Sequence, residues 1–108
     1  MALDIKSGGL KATGAGIGTN TFAFIHQSTL ANTNPSTNFT VIDNALTNGD
    51  QNALLYVTHV YNPTGAAPNL FNLSFGVYYN GAKWTIYRED GGMPFPTNIT
   101  FNVMVIKR

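Results

Sequence analysis

Two histidines, His26 and His59, are the side chains best suited to acid–base or metal chemistry in this chain. Imidazole titrates near neutral pH, so either residue could serve as a general base or as a metal ligand. A zinc site needs further histidine or carboxylate ligands at workable spacing, and none lies close to either residue in the sequence. In the runs FAFIHQ and ALLYVTHVY each histidine shares a face with apolar residues. We therefore interpret both as hydrogen-bonded structural histidines near strand ends.

The carboxylates do not form an obvious catalytic pair. A glycosidase needs two carboxyl groups that flank a cleft, but Glu89 and Asp90 are adjacent in a glycine-rich turn, so their side chains diverge. Only Asp43 and Asp50 could supply a more distant partner. No serine lies in a G-x-S-x-G motif, and the chain has no cysteine, which excludes disulfides and thiolate chemistry. The sequence does not predict an enzyme.

Residues 48–52, Asn-Gly-Asp-Gln-Asn, present side-chain oxygens at alternate positions, which a calcium ion could use. The segment lacks the glycine at loop position 6 and the bidentate glutamate at position 12 of an EF-hand. Side chains that cap an Asn-Gly turn explain the pattern equally well. We therefore predict no cofactor, and calcium is the alternative.

The strongest local signal is Asn80-Gly81 in the segment YYNGAKW. It is typical of a two-residue type I′ hairpin, because both central residues of that turn need a positive φ. Such a turn would place Tyr78 opposite Lys83 and Val77 opposite Trp84. Side chains alternate along a strand, so the face that we expect to point to the core carries Phe75, Val77, Trp84 and Ile86.

The opposite face of this hairpin is the predicted ligand-binding surface. Aromatic rings that stack on sugar C–H groups, with hydroxyl and amide groups around them, are suited to a shallow carbohydrate site. Asn-rich loops such as LANTNPSTN and NPTGAAPN could add donors and acceptors. Packing against a neighbouring strand or subunit is an equal alternative. The predicted site residues are Ser74, Tyr78, Lys83, Thr85 and Tyr87.

Composition narrows the class of protein. Charged residues make up only 10% of the 108 residues, against about 25% in an average globular chain. Asn and Thr fill the difference with 13 residues each. A net charge of +1 without a basic block argues against nucleic acid as a partner. The strictly apolar runs are only a few residues long, which argues against insertion in a membrane.

Beyond Thr21, apolar runs alternate with segments rich in Asn, Gly and Pro at the spacing of a sandwich or small barrel. Windows with the helical period of 3.6 do not occur. The pattern predicts an all-β fold, a single antiparallel β-sandwich of jelly-roll type. The runs are residues 21–27, 38–43, 53–61, 70–79, 82–88 and 98–107.

The N-terminal residues 1–20 differ from the rest. Residues 7–18 hold five of the 11 glycines and no aromatic residue, so ordering them would cost much backbone entropy for little burial. We predict a flexible Gly-rich arm over residues 1–20 and a β-sandwich domain over 21–108. The alternative is a short edge strand from Leu3 to Lys6. The N-terminus lacks the apolar region of a secretory signal.

Several segments carry a family resemblance, in this order: Phe24 and His26 in FAFIHQ, Asn32, residues 48–63, residues 76–90, Met93-Pro94, and FNVMV at 101–105. Over residues 21–106 the chain resembles an uncharacterised β domain, a domain of unknown function found, often repeated, in secreted and cell-surface proteins of bacteria. The resemblance implies a compact β module at surfaces and no catalytic residue.

These observations favour a non-catalytic recognition module that binds a glycan or a surface polymer, as a small lectin or adhesin does. We expect it to act outside the cell or at the cell surface. The alternative is a structural, self-assembling subunit of a virion, fibre or extracellular filament, which would form homo-oligomers through the N-terminal arm.

Overall fold

The computed structural model describes residues 2–6, 9–13, 21–65 and 68–108. This part of the chain contains strands and turns and no helix, so the predicted all-β class is confirmed. No helix in it could cross a membrane. The strands are β1 (Ala2–Lys6), β2 (Gly9–Thr13), β3 (Thr21–Gln27), β4 (Phe39–Val41), β5 (Leu54–Val60), β6 (Phe75–Tyr79), β7 (Trp84–Arg88) and β8 (Thr100–Ile106).

Strands β3 to β8 each lie within one of the six apolar runs of the sequence. The run over residues 70–79 forms a strand only in its second half, β6. Its first half is a loop that buries Phe71, whose ring centroid lies 5.2 Å from that of Phe95 and 5.6 Å from that of Phe101. Burial of Phe71, together with the packing of Leu73 against the core, therefore holds the loop in place.

Two antiparallel sheets of three strands each follow from the pairing. The β8 sheet has the order β3-β8-β5, and the β7 sheet has the order β4-β7-β6. In the β8 sheet, His26 and His59 lie on either side of Phe101. In the β7 sheet, Tyr87 lies between Phe39 and Gly76. These registers decide which side chains share a face.

The hydrophobic core takes residues from the inner faces of both sheets. The rings of Phe75 from β6 and Phe101 from β8 approach to 5.3 Å between centroids. Trp84 packs against the core and donates a hydrogen bond from its indole Nε1 to the backbone oxygen of Asp50 at 2.8 Å. The buried cluster consists of Ile42, Ala53, Phe71, Ile86, Phe95, Ile99, Phe101, Val103 and Val105.

The β6–β7 hairpin departs from the predicted register by two residues. The structure pairs Tyr79 with Trp84, and the backbone N–H of Asn80 donates to the oxygen of Lys83 at 2.9 Å. The turn is thus centred on Gly81-Ala82. Only Gly81 has a positive φ, 101°, whereas a type I′ turn needs two such residues. The type I′ prediction was therefore wrong.

The side chain of Asn80 explains the shift, because its Oδ1 accepts hydrogen bonds from the backbone N–H groups of Ala82 and Lys83 at 3.0 and 2.8 Å. Asparagine here caps the turn from its first position instead of occupying its centre. A shift of two residues leaves every side chain on its predicted face. The predicted core face is confirmed, because Phe75, Val77, Trp84 and Ile86 belong to or pack against the core.

Strands β1 and β2 form a two-stranded antiparallel sheet that pairs Ala2 with Thr13 and Lys6 with Gly9. They lie within the segment 1–20 that the sequence predicts to be a flexible arm, and β1 includes the alternative strand from Leu3 to Lys6. The rest of the predicted arm, residues 1, 7, 8 and 14–20, lies outside the described residues.

Candidate functional site

The outer face of the β7 sheet brings together two of the predicted site tyrosines. Tyr78 on β6 is 39% exposed, and its ring centroid lies 5.4 Å from that of Tyr87 on β7 in an edge-to-face contact. Tyr78 also contacts the ring of Phe39 on β4, at 5.9 Å between centroids. One aromatic surface therefore spans all three strands of this sheet.

Two small residues make room for these rings. Gly76 pairs with Tyr87 in the sheet, and a Cβ added to Gly76 would lie 3.0 Å from the Cε1 and Oη atoms of that tyrosine. The Tyr87 ring thus lies directly over the Gly76 backbone. Thr85 pairs with Tyr78 and is fully buried, and its hydroxyl donates to the backbone oxygen of Tyr78 at 3.0 Å. Thr85 thus lies beneath the aromatic surface and fixes the backbone of Tyr78.

The other two predicted residues lie at opposite ends of the hairpin. Lys83 lies in the turn, with its side chain 38% exposed. Ser74 is exposed and precedes β6, where its backbone oxygen accepts a hydrogen bond from the N–H of Glu89 at 2.9 Å. The structure therefore groups Lys83 with the turn end of the aromatic surface, and it does not bring Ser74 to the same place.

A cleft of about 480 Å³ adjoins this surface, between the loop that follows β3 and the outer side of β4. Phe39 and Val41 form part of its wall, so the cleft shares Phe39 with the aromatic surface. Leu30 lies at its edge and is 82% exposed. The cleft is lined by Leu30, Ala31, Asn32, Thr33, Asn34, Pro35, Phe39, Val41, Asp43 and Lys83.

An ion pair between Lys83 and Asp43 adds charge to this cleft. The Lys83 Nζ lies 3.3 Å from Asp43 Oδ1, and the Asp43 side chain is 69% exposed. The pKa of Asp43 is lowered, first by a hydrogen bond from the Asn48 side chain at 2.8 Å and then by Lys83. The carboxylate is therefore ionised at neutral pH and open to solvent, where it could accept hydrogen bonds from a hydroxyl-bearing ligand.

The cleft loop is held by hydrogen bonds that centre on Asn32. Its Oδ1 accepts from the backbone N–H of Thr29 at 2.7 Å and from the hydroxyls of Thr33 and Thr40 at 2.7 and 3.0 Å. Its Nδ2 donates to the backbone oxygen of Gln27 at 3.0 Å. One amide side chain thus joins the end of β3, the loop and β4.

His26 extends this network into the core. Its Nε2 lies 3.0 Å from the hydroxyl of Thr40, and the residue is 7% exposed. Burial lowers the pKa of His26 from 6.5 to about 4, because a charged imidazole would lose its hydration there. This is the hydrogen-bonded structural histidine that the sequence predicts.

His59 has different surroundings. Its ring lies 5.8 Å from that of Phe71 and 5.9 Å from that of Phe101, measured between centroids. Its buried Nε2 has no hydrogen-bond partner among the described residues. The predicted hydrogen bond is therefore absent at this nitrogen, and aromatic contacts hold the ring instead.

In the candidate calcium segment, both carboxylate oxygens of Asp50 already have partners within the protein. Asp50 Oδ1 accepts from the backbone N–H of Asn52 at 3.1 Å, and its Oδ2 pairs with Lys107 Nζ at 2.8 Å. The pKa of Asp50 is lowered chiefly by this hydrogen bond from Lys107. No group of three His, Cys, Asp or Glu side chains suited to a metal occurs in the described parts of the chain.

Three cleft residues, Phe39, Val41 and Asp43, were not among the predicted site residues. The alternation in NFTVID carries a usable signal, because positions 39, 41 and 43 fall on one side of an extended segment. Asn34 also lines the cleft. It belongs to the Asn-rich loop LANTNPSTN, which leads directly into β4 and which the sequence predicts to add donors and acceptors.

No curated protein and no solved structure matches the chain. One family model matches residues 17–105, which include the cleft and both three-stranded sheets except Ile106, the last residue of β8. This extent agrees with the resemblance to an uncharacterised β domain over residues 21–106. The chain therefore belongs to the family described as Domain of unknown function (DUF7452).

Proposed function

We propose that this protein is a non-catalytic recognition module that binds carbohydrate or another hydroxyl-rich surface polymer. The ligand would lie in the cleft beside β4 and extend onto Tyr78. The observation that carries the proposal is the continuity of three features: the apolar wall of the cleft, the exposed Tyr78 ring, and the solvent-exposed Asp43–Lys83 ion pair.

The chemistry of these groups suits a sugar. The C–H face of a pyranose ring packs on an aromatic face, and Tyr78 together with Phe39 offers such a surface. Asp43 would accept hydrogen bonds from sugar hydroxyls, while Lys83 and Asn34 would donate to ring or hydroxyl oxygens. Few charged groups surround the cleft, so a neutral polymer fits better than a nucleic acid.

The proposal also covers catalysis, cofactors and location. We infer no catalytic residues and no cofactor. The ion pairs of Asp43 with Lys83, Asp90 with Arg88 and Asp50 with Lys107 support this inference. We also infer that it acts outside the cell or at the cell surface, without insertion in a membrane. The location rests on the resemblance to surface modules.

We further infer that the two sheets form one β-sandwich over residues 21–108, joined to an N-terminal arm over 1–20. The shared core and the Phe75–Phe101 contact support this arrangement. A jelly roll has eight strands, and the β8 and β7 sheets together hold six. We therefore propose a β-sandwich and no longer a jelly roll.

Glycan-array screening at high protein density tests the function. We expect binding to a set of related glycans, and we expect Tyr78→Ala to reduce that signal at least tenfold, a typical effect of removing a central aromatic anchor. Tyr61→Ala is the matched control, because Tyr61 is 54% exposed and does not line the cleft. An array without hits, or equal binding by both variants, would contradict the proposal.

The second candidate function is a self-assembling structural subunit, with homo-oligomers formed through the N-terminal segment. The observation that favours it is a separate apolar surface. On the outer face of the β8 sheet, Ile25 is 63% exposed, Tyr56 52% and Leu54 37%. Exposed apolar groups concentrated on one face are typical of an interface between proteins.

A further inference from the structure

A second depression adjoins the cleft. Leu30, Thr33 and Pro35 of the cleft loop line both cavities, and the other wall of the second depression consists of residues 94–97, Pro-Phe-Pro-Thr. Its volume is about 420 Å³, against about 480 Å³ for the cleft. Both volumes lie in the range of about 300–1,000 Å³ that is typical of small-ligand sites. Each cavity is therefore large enough to hold a ligand group of its own.

Hydrogen bonds join the two walls of the second depression at both ends of the cleft loop. At one end, the backbone N–H of Phe95 donates to the oxygen of Thr37 at 3.0 Å. At the other end, the Ser28 hydroxyl donates to the backbone oxygen of Pro96 at 2.8 Å, and the N–H of Asn98 donates to the oxygen of Ser28 at 2.7 Å. The depression is therefore a built feature of the fold that exists before any ligand binds.

The shared residues form the passage between the two cavities. Thr33 is only 2% exposed, so it lies in the floor of this passage. Leu30 is 82% exposed and Pro35 is also exposed, so both present apolar surface to solvent. A ligand that occupies both cavities would cover this apolar surface and remove it from water, which favours binding.

The chemistry of the second depression suits an uncharged sugar ring. Its described lining residues carry no charge, and three of them are prolines. A pyranose ring has C–H groups on its faces, which pack on apolar walls, and hydroxyls at its edge, which stay in water or bond to Thr97. The adjoining cleft offers the exposed Asp43–Lys83 ion pair to the hydroxyls of a further sugar. Neighbouring sugars of one chain therefore find a suitable surface in each cavity.

We propose that the cleft and the second depression bind successive units of one uncharged polysaccharide chain, which crosses from one cavity to the other over Leu30 and Pro35. The ligand is thus a stretch of several sugars and not a single terminal sugar. A chain that already occupies the cleft reaches the second depression without a further loss of translational freedom, so affinity rises with chain length. This inference rests on the proposed carbohydrate-binding function.

The test uses ladders of two to eight sugar units, from β-1,3-glucan, β-1,4-glucan, α-1,4-glucan, mannan and β-1,4-linked N-acetylglucosamine. An array identifies the ladder that the full chain captures, and titration calorimetry then measures its affinity at each length. We expect the affinity to rise by about tenfold or more between two and six units. Peptides with consecutive prolines are placed on the same array as the competing class of ligand.

Two variants connect the effect of length to the second depression. Thr97→Tyr fills this depression and should abolish the gain with length, while the affinity for two units stays unchanged. Its control is Thr58→Tyr, at an exposed threonine on β5 that lines neither cavity. Leu30→Ala should weaken binding of six units more than of two, and its control is Leu70→Ala, at a leucine that is 74% exposed. Far-UV circular dichroism establishes that each variant is folded.

The outcomes separate this inference from the proposed function. Equal affinity for two and six units overturns the two-cavity site, while carbohydrate binding stands. The same conclusion follows if folded Thr97→Tyr and Leu30→Ala both bind the long ligand as tightly as their controls do. Capture of no ladder, or of proline peptides in place of glycans, overturns the proposed function and this inference with it.

Discussion

The outer faces of the two sheets present different surfaces, although both sheets have three antiparallel strands. The β7 sheet carries an aromatic surface, a cleft and the Asp43–Lys83 ion pair. The β8 sheet carries Ile25, Tyr56 and uncharged polar residues. In the two proposed functions, the first surface would bind a hydroxyl-rich ligand and the second would contact another copy of the protein.

The two faces also differ in what supports them. The β8 face consists of regular strands, so backbone pairing alone places its side chains. The cleft beside the β7 sheet depends on a loop, and that loop depends on Asn32, Thr40 and the buried His26. Conditions or substitutions that disturb this polar network should therefore affect the cleft and leave the β8 face in place.

Among the changes considered, acid pH should lower the free energy of unfolding most. His26 has a pKa of about 4 in the folded chain against 6.5 for an unperturbed histidine, so below pH 6.5 the unfolded chain binds a proton that the folded chain does not. Stability is thus complete above pH 6.5 and falls as the pH drops toward 4, by about 3 kcal/mol in all. Urea unfolding between pH 7 and pH 4 measures this loss.

His26→Gln is the control for the acid effect, because an amide does not titrate and can still hydrogen-bond to Thr40. Its free energy of unfolding should change much less over the same range. The lowered pKa values of Asp43, Asp50 and Asp90 lie below 3.8, so their contributions disappear only at lower pH. An equal pH dependence in the variant and the unmodified chain would contradict the assignment to His26.

Removal of the Asn32 amide should cause the next largest loss in the free energy of unfolding. Asn32→Ala removes the acceptor of the Thr40 hydroxyl and of the Thr29 N–H, and one of the two acceptors of the Thr33 hydroxyl, and we expect a destabilisation of about 2 kcal/mol. Asn34→Ala is the matched control in the same loop, because its Oδ1 accepts one exposed hydrogen bond, from the N–H of Ser36. Amide NMR shifts should change around the cleft and remain unchanged at Ile25. Shifts spread equally over both faces would contradict the idea that the Asn32 network supports the cleft alone.

Gly76→Ala tests the aromatic surface by itself. The new Cβ would collide with the Tyr87 ring and displace it, at an expected cost of about 1 kcal/mol. The same substitution in a Tyr87→Ala background should cost nothing, because the ring is then absent. Thermal unfolding of the unmodified chain and of the three variants in this cycle gives the coupling energy between Gly76 and Tyr87. Additive effects would indicate that the ring does not rest on Gly76.

Asp43→Asn should have the smallest effect on stability. The ion pair with Lys83 is exposed, so we expect no measurable change in the urea unfolding midpoint. Glycan capture should weaken, because an amide oxygen is a poorer acceptor than a carboxylate. A clear loss of stability in Asp43→Asn would instead show that the ion pair with Lys83 stabilises the fold.

The strands and the two faces of the β6–β7 hairpin could be predicted from the sequence because their signals are local. Alternating apolar residues mark β3 to β8, and turn-forming residues mark their ends. The hairpin register could not be predicted, because the choice between two turns depended on the bonds that the Asn80 side chain makes. The predicted faces of the hairpin were still correct, because a register shift of two residues leaves each side chain on the same face.

The candidate site was only partly predictable. Tyr78, Tyr87 and Lys83 could be predicted to lie together because they belong to one short hairpin, and their binding of a ligand stays a prediction. Thr85 was identified as a ligand-binding residue, yet it is fully buried, since burial depends on the rings around it. Phe39 and Asp43 were missed because β4 is short and far from the hairpin in sequence.

The sequence by itself determined an all-β chain with no cysteine, few charges and an apolar side to each strand. These properties follow from composition and from a period of two, which need no knowledge of neighbours. Only the tertiary structure decided that β4 lies beside β7, that Lys83 reaches Asp43, and that Asn32 holds the cleft loop. Strand order joins residues distant in sequence, and alternation contains no information about which strands will pair.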